Sequence, residues 1–154
     1  MNILKGLLFI NGFDVYETYG AFLSEENEGD HSNYSALLKI GKAKSRAAVD
    51  LPEEHGRKYG DTPETRLDER SVSLRFTIEG DDAAEFLSRY SRFVAMLCEG
   101  WIQMSVPELR REFRFLYSDC EDWDQITPLD GKVYASFRVT FTEPCPDYGF
   151  LNIG

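Results

Sequence analysis

The sequence is poor in the residues that most often carry enzymatic chemistry. It holds two histidines, His31 and His55, among 154 residues. Neither has a nucleophile or a base beside it in a recognisable motif, so we expect both to be exposed loop residues. The cysteines show no Cys-x-x-Cys spacing, which argues against a disulfide framework and against zinc; they are Cys98, Cys120 and Cys145. Because Cys98 closes an apolar helical pattern, we expect it in the core.

The motifs of common enzyme classes are missing as well. The chain has no glycine-rich phosphate loop, no Gly-x-Ser-x-Gly elbow and no succession of strand–helix repeats. These absences predict a protein that is not an enzyme and that uses no cofactor. One catalytic hypothesis stays open, a hydrolase that would use the carboxylates between Asp119 and Asp124.

Basic residues are scarce relative to acidic ones. Lys and Arg number 17 against 27 Asp and Glu, which gives a net charge of −10. Proteins that grip phosphate backbones or anionic membranes need clustered cations, so we expect neither specific nucleic-acid binding nor membrane binding. One small basic run could contact phosphates or the acidic residues of a neighbouring subunit: Lys39, Lys42, Lys44 and Arg46.

Long apolar runs are also absent. No segment approaches the ~20 apolar residues that a membrane span needs. The apolar start, residues 3–10, is interrupted by Lys5 and lacks a cleavage site of small residues. We therefore expect the chain to be cytoplasmic at synthesis.

What the sequence does contain is a long alternating strand followed by a helix. From Arg70 to Glu79 the alternation is unbroken, which predicts a strand buried on one face. The buried face would comprise Val72, Leu74, Phe76 and Ile78. The other face, which we expect to meet water or a partner, comprises Ser71, Ser73, Arg75, Thr77 and Glu79.

The helix is predicted from Asp82 to Cys98. Asp82 and Glu85 form a capping box, and Gly100 is a suitable stop. An apolar stripe at helical spacing runs along it, made of Phe86, Leu87, Tyr90, Phe93, Val94 and Leu97.

The remaining pattern predicts strands over residues 3–10, 34–40 and 132–142, and a hairpin near Pro107 and Glu108. Gly41 to Glu69 is irregular, so we expect a long loop or arm, with a short strand around Val49. The order predicts one α+β domain over residues 1–154, mainly antiparallel β. We expect a β-sandwich or barrel with one flanking helix (about 82–98), an arm (about 41–69) and a loose tail (147–154).

An acidic stretch around Trp123 is the candidate for ion binding. Calcium and magnesium prefer oxygen clusters, and this stretch holds Asp119, Glu121, Asp122 and Asp124. The turn glycine and final glutamate of a calcium-binding EF-hand loop are misplaced. We expect a solvated acidic loop over residues 119–131, with a cation site as the alternative.

In order and type, these elements resemble the ring-forming N-terminal domain of phage distal tail proteins. The resemblance covers about residues 5–145. It is carried by Ile10-Asn-Gly-Phe13, by Lys44-Ser-Arg46 with the run from Val49 to Gly56, by the strand from Arg70 and by the helix from Asp82. Distal tail proteins, and the tail-tube proteins to which they are similar, form hexameric rings whose sheets close around a lumen.

The resemblance implies a structural component of a phage or prophage tail, a distal tail or tube-like ring protein. Such a protein would self-assemble, contact adjacent tail proteins and end in the virion tail. The polar face of the long strand, with Lys42, Lys44 and Arg46, would contact the lumen or the next subunit, and the arm would contact an adjacent subunit or ring. The alternative is a stand-alone β-sandwich-like module that binds a small molecule or a carbohydrate.

Overall fold

The computed structural model describes residues 4–25, 29, 31–44, 56 and 65–146. In chain order the elements are β1 (Phe9–Ile10), β2 (Phe13–Asp14), α1 (Val15–Tyr19), β3 (Ala21–Leu23), α2 (Ser32–Leu38), β4 (Arg70–Gly80), α3 (Ala83–Leu97), β5 (Ile102–Val106), a 3-10 turn (Pro107–Leu109), β6 (Arg111–Gln125) and β7 (Val133–Glu143). The strands form a 7-stranded sheet in the order β2-β1-β5-β6-β7-β4-β3. All of its pairs are antiparallel.

Strand β6 joins the two halves of this sheet. Its first residues, Arg111 to Phe115, pair with β5. From Leu116 to Gln125 it pairs with β7 instead, with irregularities between Tyr117 and Asp119 and again between Glu121 and Asp124. Among the described residues, the second half of β6 therefore pairs with a strand on one side only, the side of β7.

The core lies between the inner faces of β4 and β7 and helix α3. The Phe93 ring from α3 lies 5.2 Å from that of Phe76 on β4 and 5.8 Å from that of Phe137 on β7. Each such buried side chain contributes about 1.5–3 kcal/mol to stability. The inward residues predicted for β4 are buried, which confirms its alternation: Val72, Leu74, Phe76 and Ile78. Alternate residues of β7 are buried as well: Val133, Ala135, Phe137, Val139 and Phe141.

The junction between β4 and α3 is tight. The Asp82 side chain accepts a hydrogen bond from the Glu85 amide, as the capping box predicts. The Glu85 carboxylate accepts one from the Asp81 amide, one residue earlier than expected. A Cβ at Gly80 would lie 2.6 Å from the Phe86 amide nitrogen. Glycine therefore lets the helix begin directly against the end of the strand.

Three local predictions are wrong. Residues 34–40 form no strand, because Ser32–Leu38 is helix α2 with Leu37 buried. Within residues 4–10, the part of the predicted N-terminal strand that the structure describes, only Phe9–Ile10 is strand. The stretch predicted as an acidic loop over 119–131 lies on β6 as far as Gln125.

Helix α3 also departs from the prediction on one side. Phe86, Phe93 and Leu97 are buried, but Leu87 and Val94 are exposed. Cys98 is exposed and not a core residue. The apolar stripe is therefore wider than the surface that the sheet covers.

The predicted fold class, α+β and mainly antiparallel, is confirmed, with α1 and α2 as short helices beside α3. The two ends of the predicted arm lie together. Ala43 pairs with Leu67, the Lys44 amide donates to the Arg66 carbonyl at 2.8 Å, and the Asp68 amide donates to the Lys42 carbonyl at 2.8 Å. The expected strand near Val49 and the tail at 147–154 lie outside the described residues.

Candidate subunit-contact surface

The outer face of β4 is the first part of this surface. Ser71 and Ser73 are exposed and Arg75 is half-buried. The Ser73 hydroxyl lies 2.9 Å from the Thr140 hydroxyl of β7. These side chains belong to a polar face that runs across β4 and β7, as the alternation predicts.

Two members of the predicted set hold the fold together instead. Thr77 is only 5% exposed, and its hydroxyl lies 2.8 Å from that of Ser24 and 2.7 Å from that of Ser136. The Glu79 carboxylate accepts a hydrogen bond from the Tyr16 hydroxyl on α1. The accessible part of this face is therefore smaller than predicted and is centred on Ser71, Ser73 and Arg75.

A row of charges crosses the polar face. Arg75 on β4 stands directly opposite Arg138 on β7, and Arg138 stands opposite Glu121 on β6. Arg138 also lies 3.2 Å from the Asp122 carboxylate. Like charges directly opposite each other repel, so the acidic side chains on β6 compensate the two arginines. The row carries no net charge.

The basic part of the predicted site lies at the base of the arm. Lys42 and Lys44 are both exposed and flank the bridge between Ala43 and Leu67. Arg66 on the opposing segment is exposed too. Arg46 lies outside the described residues.

Arg70 ties the arm base to the sheet. Its side chain is buried against Glu143 with a 2.6 Å contact between Nε and the carboxylate. Its two terminal nitrogens donate to the carbonyls of Leu37 at 3.0 Å and Lys39 at 2.7 Å. The guanidinium thus satisfies carbonyls at the end of α2, which otherwise lack partners in the helix.

The candidate cation ligands do not gather at one point. Asp119, Glu121, Asp122 and Asp124 follow one another along β6, and Asp122 is paired with Arg138. Asp119, Glu121 and Asp124 stand opposite Thr140, Arg138 and Ser136, so they share the polar face but are spread along the strand. Among the described residues, no group of three or more His, Cys, Asp or Glu side chains could hold a metal ion. The structure therefore gives the cation alternative no geometric support.

The sequence reading missed an aromatic surface beside these acids. The Trp123 ring lies 4.9 Å from that of Tyr90 on α3 and stacks on Phe137 at 5.4 Å, yet Trp123 is 44% exposed. Tyr117, on the same strand, is 37% exposed. Partial burial raises the pKa of Tyr90 and of Tyr117 above the ordinary tyrosine value.

Cys120 lies between these two aromatic residues on β6. Desolvation first, and then the charges of Asp119 and Glu121, raise the pKa of its thiol. A raised thiol pKa means little thiolate near neutral pH, which is the opposite of what a nucleophile requires. The geometry therefore favours a packing role for Cys120.

A separate cavity of about 220 Å³ lies between the N-terminal segment and α2. Its rim carries His31, whose Nδ1 lies 3.5 Å from the Glu25 carboxylate. The polar group of Asn33 is already used, since it accepts from the Arg75 amide at 2.7 Å and donates to the Ser24 carbonyl at 2.7 Å. The apolar lining includes Leu4, Leu8, Tyr16, Phe22, Leu23 and Tyr34. The sequence pattern did not reveal this cavity.

No known family model matches the sequence, and no curated protein matches it. A solved structure does match: the Dit protein (gp 19.1) of phage SPP1, described as a paradigm of the hub adsorption apparatus in phages that infect Gram-positive bacteria. The TM-score is 0.57 at 10% sequence identity, and the match covers 92% of this chain and 49% of that chain. The similarity is one of fold.

The chain therefore spans about half of the solved chain that it matches. The fold expected from the distal tail resemblance is confirmed, whereas assembly and tail location stay predictions. In the part of the chain that the structure describes, no helix has the length and apolar character needed to span a membrane.

Proposed function

We propose that this protein is a non-enzymatic structural component of a phage or prophage tail, a distal tail or tube-like protein that assembles into a ring. The observation that carries the proposal is the match to the SPP1 hub protein over 92% of the chain. At 10% identity that match shows the fold alone. The proposed role therefore also rests on the two surfaces described above.

The polar face of the sheet is suited to form the water-facing wall of a lumen. Ser71 and Ser73 on β4 and Thr140 on β7 offer small hydroxyl groups, and the charges of Arg75 and Arg138 are compensated from β6. Such a face suits the lining of a wet lumen. The net charge of −10 would keep DNA from adhering to it.

The surfaces at the edges support contacts with other subunits. The arm base presents Lys42 and Lys44, and β6 presents exposed Tyr117 and Trp123 beside acidic residues. Exposed tyrosine and tryptophan side chains are enriched in protein interfaces. We propose a hexameric ring that contacts adjacent tail proteins.

Light scattering coupled to size-exclusion chromatography tests the proposal. We expect the mass to rise with concentration from the 17.7 kDa of one chain toward that of a closed ring. A subunit that stays monomeric at every concentration, and also when mixed with tail proteins encoded beside it, would refute the proposal.

A second candidate function, a binding module, is favoured by the cavity next to α2. Its volume of about 220 Å³ lies below the ~300–1,000 Å³ of typical ligand pockets. Calorimetric titration with a panel of sugars and small apolar molecules tests it. Saturable binding that is lost in Leu23→Trp, which would fill the cavity, would support the module, and the absence of binding across the panel would remove it.

A further inference from the structure

The second half of β6 has an open edge. Its register with β5 ends at Phe115, while its register with β7 continues to Gln125. Among the described residues, no strand pairs with the side of residues 117–125 that faces away from β7. Open strand edges present unpaired backbone groups and are natural sites for contact with another chain.

This segment also projects beyond the body of the fold. Every residue of 117–125 is exposed except the half-buried Cys120. On the face toward α3 it carries Trp123, which packs on Tyr90 and Phe137, and Tyr117, which stands opposite the inward Phe141. On the polar face it carries the acids Asp119, Glu121 and Asp124, opposite Thr140, Arg138 and Ser136. We call this exposed edge with its two faces, made of Tyr117, Asp119, Glu121, Trp123 and Asp124, the β6 patch.

The β6 patch is protected against indiscriminate pairing. The two irregularities in its register distort the edge, and Asp122 adopts a positive φ of 56°. Acidic side chains add repulsion against most other edges of this acidic protein. Bulges and edge charges are the means by which proteins block unwanted strand pairing. A partner that overcomes these barriers must itself be basic.

Exposed lysines lie at the base of the arm, beyond β7 and β4 in the sheet order. The arm base adjoins β4, since a Cβ at Gly41 would lie 3.3 Å from the Arg70 Cβ. Exposed there are Lys42, Lys44 and Arg66, together with the acidic Asp68 and Glu69. Lys42 and Lys44 are opposite in charge to Asp119 and Asp124 of β6, and the two pairs belong to different surfaces, which suits a head-to-tail contact between identical subunits.

We propose that the β6 patch of one copy docks against the arm base of a second copy. The partner covers the open edge from both faces: it contacts Tyr117 and Trp123 on the side of α3, and its Lys42 and Lys44 meet Asp119 and Asp124 on the polar side. The inference rests on the proposed self-assembly and names the surfaces that produce it. Because patch and arm base are different surfaces, each subunit uses both, and the contact propagates from copy to copy.

Charge reversal tests this pairing. We expect Asp119→Lys/Asp124→Lys and, separately, Lys42→Glu/Lys44→Glu to weaken self-association at least ~10-fold in sedimentation analysis, since like charges would face each other. Mixing the two variants, or combining all four changes in one chain, should restore association because opposite charges meet again. Glu99→Lys/Asp130→Lys is the matched control for the first variant, since it makes the same change in net charge on other exposed residues, and it should associate like the wild type.

Cross-linking of the wild type keeps the test independent of variant folding. A zero-length carbodiimide reagent applied to mixed ¹⁴N- and ¹⁵N-labelled copies should join Lys42 or Lys44 of one copy to Asp119 or Asp124 of another. If the wild type assembles but these links are absent and both reversals associate normally, the docking proposal is wrong while the tail proposal stands. If the wild type never assembles, both are wrong.

Discussion

At the scale of single residues, the buried pair of Arg70 and Glu143 determines how the arm base meets the sheet. We expect Arg70→Met to destabilise the protein by about 3–5 kcal/mol, because it leaves the buried Glu143 carboxylate without its partner and the carbonyls of α2 without a donor. Urea denaturation measures the loss. Arg92→Met, at an exposed position on α3, should change the free energy of unfolding by no more than about 0.5 kcal/mol.

The double variant Arg70→Met/Glu143→Met separates charge burial from packing. It should be more stable than Arg70→Met alone, because no uncompensated charge stays in the interior. If both variants are equally unstable, the carbonyl contacts at Leu37 and Lys39 determine the stability, and the ion pair does not.

A second prediction at this scale concerns Cys120. Because burial and the neighbouring acids raise the pKa of its thiol, the reactive thiolate forms at higher pH than in an ordinary cysteine. Iodoacetamide should therefore modify the exposed Cys98 and Cys145 before Cys120, and the rate at Cys120 should keep rising at more alkaline pH. Peptide mass spectrometry across a pH series measures both rates. Equal rates at neutral pH would contradict the described environment of Cys120.

The outward residues of β4 show how far the sequence can predict the candidate site. Alternation identifies Ser71, Ser73 and Arg75 correctly as outward. Alternation cannot show that Thr77 and Glu79 are already hydrogen-bonded within the fold, because their partners come from distant parts of the chain. These partners are Ser24, Ser136 and Tyr16.

At the scale of elements, the joint between β4 and α3 depends on the missing side chain of Gly80. We expect Gly80→Ala to cost about 1–3 kcal/mol, because its Cβ would overlap the backbone of Phe86. Thermal unfolding followed by circular dichroism measures the effect. At Gly41 a Cβ would lie 3.3 Å from the Arg70 Cβ, so Gly41→Ala serves as the milder control. A Gly80→Ala variant as stable as the wild type would show that the helix can move away from the strand.

Elements with an unbroken period were predictable, and elements shaped by distant contacts were not. Strands β4 and β7 and helix α3 follow from alternation and from a capped helical stripe. The sequence pattern predicts a strand where helix α2 lies, because the contacts that stabilise α2, from Asn33 to β4 and from the Arg70 guanidinium to its end, are remote in sequence. In β6 the two irregularities break the period of two, so the sequence predicts a loop around Trp123.

At the scale of the whole molecule, the arm is expected to serve assembly and not folding. Its described ends are already joined by the bridge between Ala43 and Leu67. We expect replacement of residues 45–64 by a short Gly-Ser linker to leave a folded protein, because closing a shorter loop costs little entropy. Self-association should fall at the same time. The linker variant is examined by circular dichroism and sedimentation, and loss of folding would place the arm in the core instead.

The most direct test of the central claim is cryo-electron microscopy of the assembled protein. The account predicts closed rings in which the outer face of β4, marked by Ser71 and Ser73, lines the lumen and α3 lies outside. Rings with α3 inside, or single molecules at all concentrations and with tail partners present, would contradict it.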